Sequence, residues 1–177
     1  APIENSHPYL RFRPDACITC RLCLNTCEQV QGQFVYGIES RGVESRLIFG
    51  ANDRFVDSCC VSCGACVDVC PTGALFDRDR SSATAGTDVE HTRGVCGFCG
   101  VGCRVDIASV DGRVQRIDGI ADAAANRGHL CIKGRYAHQY QHSPERLTRP
   151  LLKSDGGFTE VSWDVALDFI AAKLQQL

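Results

Sequence analysis

Two cysteine runs with the same spacing constrain this chain more than any other feature of its sequence. The pattern C-x2-C-x2-C-x3-C occurs twice, first from Cys17 and again from Cys60. Thiols spaced in this way on a short loop point into one concave pocket, and a fourth thiol must arrive from elsewhere to complete a four-iron site. In bacterial two-cluster arrangements, the last cysteine of each run ligates the other cluster. We therefore predict two [4Fe–4S] clusters that exchange their fourth ligands.

The exchange gives each predicted cluster a defined ligand set. For the first cluster the predicted ligands are Cys17, Cys20, Cys23 and Cys70, and for the second they are Cys60, Cys63, Cys66 and Cys27. Cys59 precedes the second run and has no counterpart in the first. We predict that it is not a ligand. A zinc site is disfavoured for these runs, because zinc needs four ligands and has no use for this grouping.

A third group of cysteines has a different spacing. Its members are Cys96, Cys99, Cys103 and Cys131. The three-residue gap before Cys103 breaks the ferredoxin pattern, and no partner run exists for an exchange. One site built from all four thiols is the economical prediction. On spacing alone, structural zinc stays open for this group, because four thiolates are also a common zinc ligand set.

The composition excludes several other classes of protein. Thirteen cysteines is an odd number, and their tight grouping is not that of a disulfide scaffold. A formal net charge of −2 gives no electrostatic reason to expect nucleic acid or an anionic membrane as a partner. No run of apolar residues is long enough to span a bilayer. The chain also lacks an initial methionine, which suggests that it is a piece of a longer protein.

The cysteine groups divide the chain into four predicted parts. Residues 1–79 form a ferredoxin-like module for two clusters, and the polar residues 80–93 form a linker. Residues 94–150 form a small β-rich cluster domain. Residues 151–177 contain no cysteine and form the last part, which the resemblance described below implies is the beginning of a catalytic domain. The predicted fold class is α+β with little regular structure.

Local patterns predict the main elements of these parts. Residues 34–38 and 46–49 are rich in strand-forming side chains and are bounded by glycines. Residues 104–110 and 113–117 flank an Asp-Gly pair, which is a strong hairpin signal. From Ser162 onward, apolar residues recur at helical spacing, which predicts a capped helix with a core-facing stripe and a packing partner beyond the C-terminus.

The third cysteine group carries a resemblance to a known family. The stretches Cys96-Gly-Phe-Cys-Gly-Val-Gly-Cys103 and Leu130-Cys-Ile-Lys-Gly-Arg135 resemble the N-terminal region of molybdenum or tungsten enzymes that carry bis-molybdopterin guanine dinucleotide. The chain is most similar to the catalytic subunits of formate dehydrogenases, especially the cytoplasmic, NAD-linked kind. In those subunits a two-cluster ferredoxin segment comes before this motif, as it does here.

The resemblance implies roles for the third group and for Lys133. The four cysteines would hold a third [4Fe–4S] cluster, the one nearest the pterin, and Lys133 would relay electrons between this cluster and the pterin. The ligand of the active-site metal would lie further along the parent chain, so these 177 residues alone would be inactive. Expected partners are the remainder of the catalytic subunit and either a diaphorase-type NAD(H)/flavin subunit or a ferredoxin.

Two kinds of alternative stay open at this stage. One keeps the clusters and changes the chemistry of the parent protein, which would be an assimilatory nitrate reductase or the large iron–sulfur subunit of respiratory complex I. The other is a zinc-binding interaction module. Formate dehydrogenase is favoured over both, because the ferredoxin runs and the third motif occur together in the order that its subunits use.

Overall fold

The computed structural model describes residues 2–51, 54–78 and 88–177. It divides the chain into two compact units, residues 1–139 and residues 140–177. Residues 80–87 of the predicted linker lie outside the described residues. In the described part of the chain, no helix has the length and apolar character needed to cross a membrane.

The first cysteine-rich segment is built from two short helices and four short strands. The elements are β1 (Leu10–Phe12), α1 (Leu22–Asn25), β2 (Tyr36–Glu39), β3 (Arg46–Phe49), α2 (Ala65–Asp68) and β4 (Leu75–Asp77). A π-helical turn, Thr26–Val30, continues α1 and carries Cys27. Strand β1 pairs antiparallel with β4, and β2 pairs antiparallel with β3. The two strands predicted between the cysteine runs are confirmed as β2 and β3.

The core of this segment is small and aromatic, and the cysteines are part of it. Phe55 and Leu10 are fully buried, and Phe55 stacks on Phe49 with ring centroids 4.3 Å apart. The same cluster of buried side chains includes the thiols of Cys23 and Cys66. The apolar residues therefore pack around the cysteines and form the walls of their sites.

The second cysteine-rich segment is a three-stranded antiparallel sheet followed by a short helix. The elements are β5 (Glu90–Val95), β6 (Arg104–Val110), β7 (Arg113–Gly119) and α3 (Ile132–Tyr136), with β6 in the centre of the sheet. Asp111 and Gly112 join β6 to β7, with φ angles of 50° and 71°. Positive φ at both positions is what a type I′ turn requires. The predicted hairpin is confirmed.

Strand β5 begins earlier than the sequence analysis indicates. It runs from Glu90, so residues 90–93, which the polar composition assigns to the linker, pair with β6. The first four side chains of β5 are exposed. An exposed edge strand is held by backbone hydrogen bonds and needs no apolar side chains. Its polar sequence therefore resembles that of a linker.

The second unit is a hairpin followed by a helix. It contains β8 (Leu151–Ser154), β9 (Gly157–Glu160) and α4 (Trp163–Gln175). The predicted cap is present, because the Ser162 hydroxyl accepts a hydrogen bond from the Val165 N–H at 3.3 Å. The predicted stripe does not face a core here: Ala166 is buried, but Trp163 and its other large apolar members are exposed. Within this unit, β9 exposes all its side chains and offers no apolar layer.

A buried histidine ties the start of the chain to the second cysteine run. Nδ1 of His7 accepts hydrogen bonds from the N–H groups of Tyr9 and Leu10, at 3.2 and 3.1 Å. Its Nε2 lies 3.3 Å from the Ser62 hydroxyl. Since Nδ1 accepts, the ring is neutral. Burial lowers the pKa of His7, and the nearby Glu4 opposes this only in part.

The lowered pKa of His7 predicts a loss of stability in mild acid. Below about pH 6.5 the unfolded chain binds a proton that the folded chain excludes, so the free energy of unfolding falls by at most about 1.4 kcal/mol per pH unit. In His7→Asn, the amide oxygen replaces Nδ1 as an acceptor and does not titrate. We expect denaturant unfolding to depend less on pH between about 6.5 and about 5 in this variant. His91→Asn, on an exposed strand, is the control, and equal slopes in all three proteins would contradict the assignment.

Candidate metal centre

The two cysteine loops share a backbone conformation that L-residues rarely adopt. Thr19 and Arg21 have φ angles of 55° and 63°, and the equivalent Ser62 and Gly64 have 57° and 76°. Left-handed residues that alternate with ordinary ones turn successive N–H groups toward one side, which makes a concave site for an anion. This conformation costs a non-glycine residue about 1 kcal/mol or more. Strain that recurs at matching positions of a repeat indicates a functional constraint.

Each loop closes a cavity with a thiol from the other run. The first cavity is lined by the thiols Cys17, Cys20, Cys23 and Cys70. The second is lined by the thiols Cys27, Cys60, Cys63 and Cys66. The two cavities enclose about 350 and 310 Å³ including their open mouths, a similarity in size that suits two copies of one cofactor. This grouping is the one that exchanged fourth ligands require, and the assignment of the thiols as ligands stays a prediction.

Burial makes the thiolate form of four of these cysteines unfavourable when no metal is bound. It raises the pKa of Cys23 to about 12 and that of Cys60 to about 11, and it also raises the pKa of Cys27 and Cys66. In each case the neighbouring cysteines add to the effect. Iron ligation needs deprotonated sulfur, so a positively charged metal must offset this cost when it binds and releases the protons.

Cys70 differs from these thiols. Burial raises its pKa, but hydrogen bonds, the largest from the Leu75 N–H at 3.4 Å and others from Thr72, more than offset burial and lower it. These hydrogen bonds favour the thiolate form of the thiol that crosses from the second run to the first cavity.

A buried hydroxyl without a protein partner lies beside the second cavity. The Tyr36 side chain is buried and faces the Cys66 thiol, whose pKa it lowers against the larger effect of burial. Yet among the described residues, no side-chain or backbone group is placed with the distance and angle of a hydrogen bond to this hydroxyl. Burial raises the pKa of Tyr36, so the hydroxyl keeps its proton. A donor in this position fits a ligated, negatively charged sulfur.

The third cysteine group is assembled around the end of the three-stranded sheet. The Cys96 N–H donates to the Cys103 carbonyl at 2.8 Å and closes the loop that carries Cys99. Burial raises the pKa of Cys103, and the other three thiols, Cys131 included, add to the rise through their charges. The other three thiols of this group therefore lie near enough to Cys103 to act on it electrostatically.

Asn126 brings Cys131 to the other members of the group across a gap of 27 residues. Its side-chain oxygen accepts from the Arg104 N–H at 2.9 Å, and its amide donates to the Arg104 carbonyl at 3.2 Å. The same amide donates to the His129 carbonyl at 3.1 Å. The buried Asn126 side chain thus holds Arg104, which follows Cys103, beside His129, which lies two residues before Cys131.

Helix α3 connects the third group to the second cavity. Arg135 is only 3 % exposed, and its Nε–H donates to the carbonyl of Cys63 at 3.0 Å. Its two terminal nitrogens bind the two carboxylate oxygens of Asp68. Burial alone would lower the pKa of Arg135, but the Asp68 carboxylate has the larger combined effect and raises it. Burial raises the pKa of Asp68, and Arg135 reduces that rise. We regard both groups as charged, because they share two hydrogen bonds.

The contact at α3 depends on a glycine and two tyrosines. A Cβ atom on Gly64 would lie 2.5 Å from Cδ of Arg135 and 2.8 Å from the Tyr136 hydroxyl. That hydroxyl donates to Asp77 at 2.7 Å, and the ring stacks on Tyr9 with centroids 4.6 Å apart. Both cysteine segments lie in the compact unit of residues 1–139, and their division into separate domains stays a prediction.

The remaining predicted residues lie at the surface. Lys133 is exposed on α3, two positions before the buried Arg135. Cys59 is exposed and is not among the residues that line either cavity, although its charge raises the pKa of Cys27 as a lesser cause after burial. Among residues 2–51, 54–78 and 88–177, no three Cys, His, Asp or Glu side chains are grouped to hold a single metal ion.

Family models match the three parts of the chain in the predicted order. A 4Fe-4S dicluster domain matches residues 16–74, a molybdopterin oxidoreductase Fe4S4 domain matches residues 89–143, and a molybdopterin oxidoreductase domain matches residues 146–177. By these matches the chain resembles the iron–sulfur region of molybdopterin oxidoreductases. The models describe iron–sulfur domains and so support iron–sulfur clusters as the cofactor, while the assignment of individual cysteines as ligands stays a prediction. The resemblance and the mixed helix and strand content inferred from the sequence are confirmed.

Curated relatives cover almost the whole of this chain. A Staphylococcus haemolyticus protein named "Putative formate dehydrogenase" is 29% identical over 99% of the chain and 22% of its own length. An NADH-quinone oxidoreductase subunit of Rhizobium meliloti is 31% identical over 94% of the chain and 19% of its own length. The chain thus spans about a fifth of the length of these relatives.

A solved structure is also similar to part of the chain. It is an NAD+-reducing [NiFe]-hydrogenase in the H2-reduced state, with 31% sequence identity and a TM-score of 0.42. The match covers 48% of this chain and 36% of that one.

The sequence analysis identifies the thiols but not the groups that surround them. It places Tyr36 only in a strand and Arg135 only in a motif. A signal is present for Arg135, which follows Cys131 by four residues and so lies one helical turn further on. No local pattern pairs Tyr36 with Cys66, because these residues are 30 positions apart.

The Tyr36 hydroxyl is expected to raise the reduction potential of a cluster in the second cavity. A hydrogen-bond donor to ligated sulfur favours the more negative, reduced state of the cluster. Tyr36→Phe should therefore make reduction less favourable by about 1 kcal/mol, roughly a fivefold change in the one-electron equilibrium, and so lower the potential. The measurement is a redox titration followed by electron paramagnetic resonance. Tyr9→Phe is the control, since its ring stacks on Tyr136. An equal potential in wild type and Tyr36→Phe would contradict a hydrogen bond to sulfur.

Proposed function

We propose that this chain is the electron-transfer segment of a formate dehydrogenase. Three [4Fe–4S] clusters would relay electrons from a molybdenum or tungsten centre with bis-molybdopterin guanine dinucleotide, where formate becomes carbon dioxide. The acceptor would be a diaphorase-type NAD(H)/flavin subunit or a ferredoxin, in a cytoplasmic complex. The observation that supports the proposal is that Cys70 lines the first cavity and Cys27 the second, in a chain whose residues 89–143 match a molybdopterin oxidoreductase Fe4S4 domain.

The residues of the chain fit such a relay. When bound, each cluster takes up and releases one electron at a time. Cys27 and Cys70 hold the two cavities together, since each reaches from one run into the site of the other. The contacts of Arg135 fix the third group against the second cavity. The apolar side chains of Phe12 and Leu10 form part of the walls of the first and second cavities.

Lys133 is proposed as the residue that faces the pterin. Residues two apart on an α-helix are separated by about 200° around its axis, so Lys133 and Arg135 leave α3 on nearly opposite sides. Arg135 is buried against the second cavity, and the Lys133 ammonium is exposed. An exposed cation next to Cys131 can donate to a pterin ring and favour the reduced state of the centre that it faces.

A second candidate function is favoured by one of the relatives. The similarity to an NADH-quinone oxidoreductase subunit extends over 94% of the chain at 31% identity. In that case the clusters would carry electrons between subunits without a pterin, and Lys133 would have no substrate-side role. Molybdenum or tungsten content of the full-length protein, and reduction of its clusters by formate, separate the two candidates.

The ligand sets predict how much iron the protein binds and which cluster depends on Cys27. Three cubanes require about twelve iron and twelve sulfide per chain. Cys27→Ser should damage the cluster of the second cavity and leave that of the first, because Cys27 lines the cavity of Cys60. Electron paramagnetic resonance of the reduced protein reports which signal is lost, and Cys59→Ser, at the exposed neighbour, is the control. Loss of the first-cavity signal would contradict the exchange, and zinc in place of iron would contradict the whole assignment.

The role of Lys133 is tested in the full-length protein. Lys133→Ala should leave all three clusters assembled, because lysine supplies no thiolate. It should slow their reduction by formate, because loss of the charge shifts the one-electron equilibrium by up to about tenfold, the equivalent of about 59 mV. Lys133→Arg keeps the charge without the compact head, so partial recovery is expected. Rapid mixing with formate, followed in the cluster absorption band, gives the rate. Lys153→Ala, on the exposed β8–β9 hairpin, is the control, and an unchanged rate in Lys133→Ala would return Lys133 to an ordinary surface residue.

A further inference from the structure

A continuous path of covalent and hydrogen bonds joins the third cysteine group to the second cavity. It begins at Cys131, whose carbonyl accepts a hydrogen bond from the Arg135 N–H at 3.1 Å. It continues along the Arg135 side chain to Nε, whose N–H donates to the Cys63 carbonyl at 3.0 Å. Cys131 and Cys63 belong to different ligand sets, so one side chain spans the distance between two proposed clusters.

The same side chain places a buried positive charge between the two sites. Its guanidinium is held by both oxygens of Asp68 and lies 3.7 Å from Asp118. Asp118 also accepts a hydrogen bond from Arg116, which neutralises it in part. The exposed fraction of the side chain is 2% for Arg135 and 39% for Asp68, so solvent screens the carboxylate more than the guanidinium.

Close packing leaves the Arg135 side chain little freedom to move. Its Cδ and Nε lie so near the backbone of Gly64 that any larger residue there would collide with them. Gly64 directly follows Cys63 in the loop of the second cavity. The guanidinium is thus held at a fixed place against the backbone of a proposed ligand, where a charge acts on the site at short range.

We propose that Arg135 is a positioning residue for electron transfer between the third and second clusters. It fixes the separation of the two sites, and its charge favours the reduced state of the second cluster. The inference rests on the ligand sets proposed above. One electron leaves one cluster and enters the other; no bond forms or breaks, and the guanidinium keeps its protons.

The direction of the effect follows from the charges. Reduction adds one negative charge to the second cluster, which a nearby cation stabilises and a nearby carboxylate opposes. Removing the charge of Arg135 in the partly shielded interior should change the one-electron equilibrium about tenfold. Removing the charge of Asp68 should act in the opposite sense and by less, since Asp68 is the more exposed partner.

The test uses two substitutions that remove opposite charges from one ion pair. In the full-length, cluster-loaded protein, Arg135→Gln is expected to lower the reduction potential of the second cluster by about 59 mV, the equivalent of a tenfold change. Asp68→Asn is expected to raise it. The potentials are read from redox titrations followed by electron paramagnetic resonance. A merely structural role would shift both variants in the same direction or not at all, and either result would overturn the proposal.

Two further variants separate charge from geometry. Arg54→Gln breaks an exposed arginine–aspartate pair elsewhere in the same unit and should leave the potential unchanged. Arg135→Lys keeps the charge but lacks the Nε–H donor to Cys63 and the fork that holds Asp68. It should keep the potential near that of wild type and slow the arrival of electrons at the second cluster in rapid-freeze experiments. A wild-type rate in this variant would remove the positioning role.

Cluster content distinguishes failure of this inference from failure of the proposed function. Each variant is analysed for iron, and wild type without three clusters would remove the ligand sets themselves. If Arg135→Gln does not load its second cluster, Asp68→Asn and Arg135→Lys decide the question. An unchanged potential in Asp68→Asn would then overturn the electrostatic role of the pair.

Discussion

The exchange of thiols between the two cysteine runs is the constraint on which the first unit depends. Cys70 reaches the first cavity because β4, which begins five residues after it, pairs with β1, which ends five residues before Cys17. The Arg13 N–H extends that pairing by donating to the Ala74 carbonyl at 2.8 Å. Neither cavity can therefore be completed by local structure, and the fold of the module and the formation of its sites are one process.

The core of this module would be a poor core if nothing bound to its cysteines. Burial makes the Cys23 and Cys60 thiolates unfavourable, the Tyr36 hydroxyl has no partner among the described protein groups, and residues such as Thr19 hold left-handed backbone. Each feature is costly alone, and an anionic iron–sulfur cluster bound by thiolates would offset all of them together. The free energy of cluster binding would then be part of the free energy of folding.

The sequence predicts those features that follow from the spacing of residues and from local patterns. The grouping of thiols around each cavity follows from the repeat, the β6–β7 hairpin from Asp111-Gly112, and the start of α4 from Ser162. The missed features depend on contacts between distant residues. Strand β5 is polar because its side chains are exposed, and His7 contacts Ser62 across 55 positions. In α4, by contrast, the predicted apolar stripe is present but exposed. Periodicity in a sequence identifies an apolar face of a helix but not the surface against which that face packs.

The short helix α3 connects the third cysteine group to the two-cluster module. It begins next to Cys131, so its orientation is set by the third cysteine group, and it ends at Tyr136, which packs in the two-cluster module. Its five residues place a buried cation on one side and an exposed cation on the other. Arg135 contacts the backbone of the second cavity, and Lys133 is directed away from it. Because Cys131 directly precedes this helix and both charges lie on it, a shift of the third cysteine group relative to the second cavity would disturb the ion pair of Arg135 with Asp68. A relay whose steps depend steeply on distance gains most from such a fixed connection between its sites.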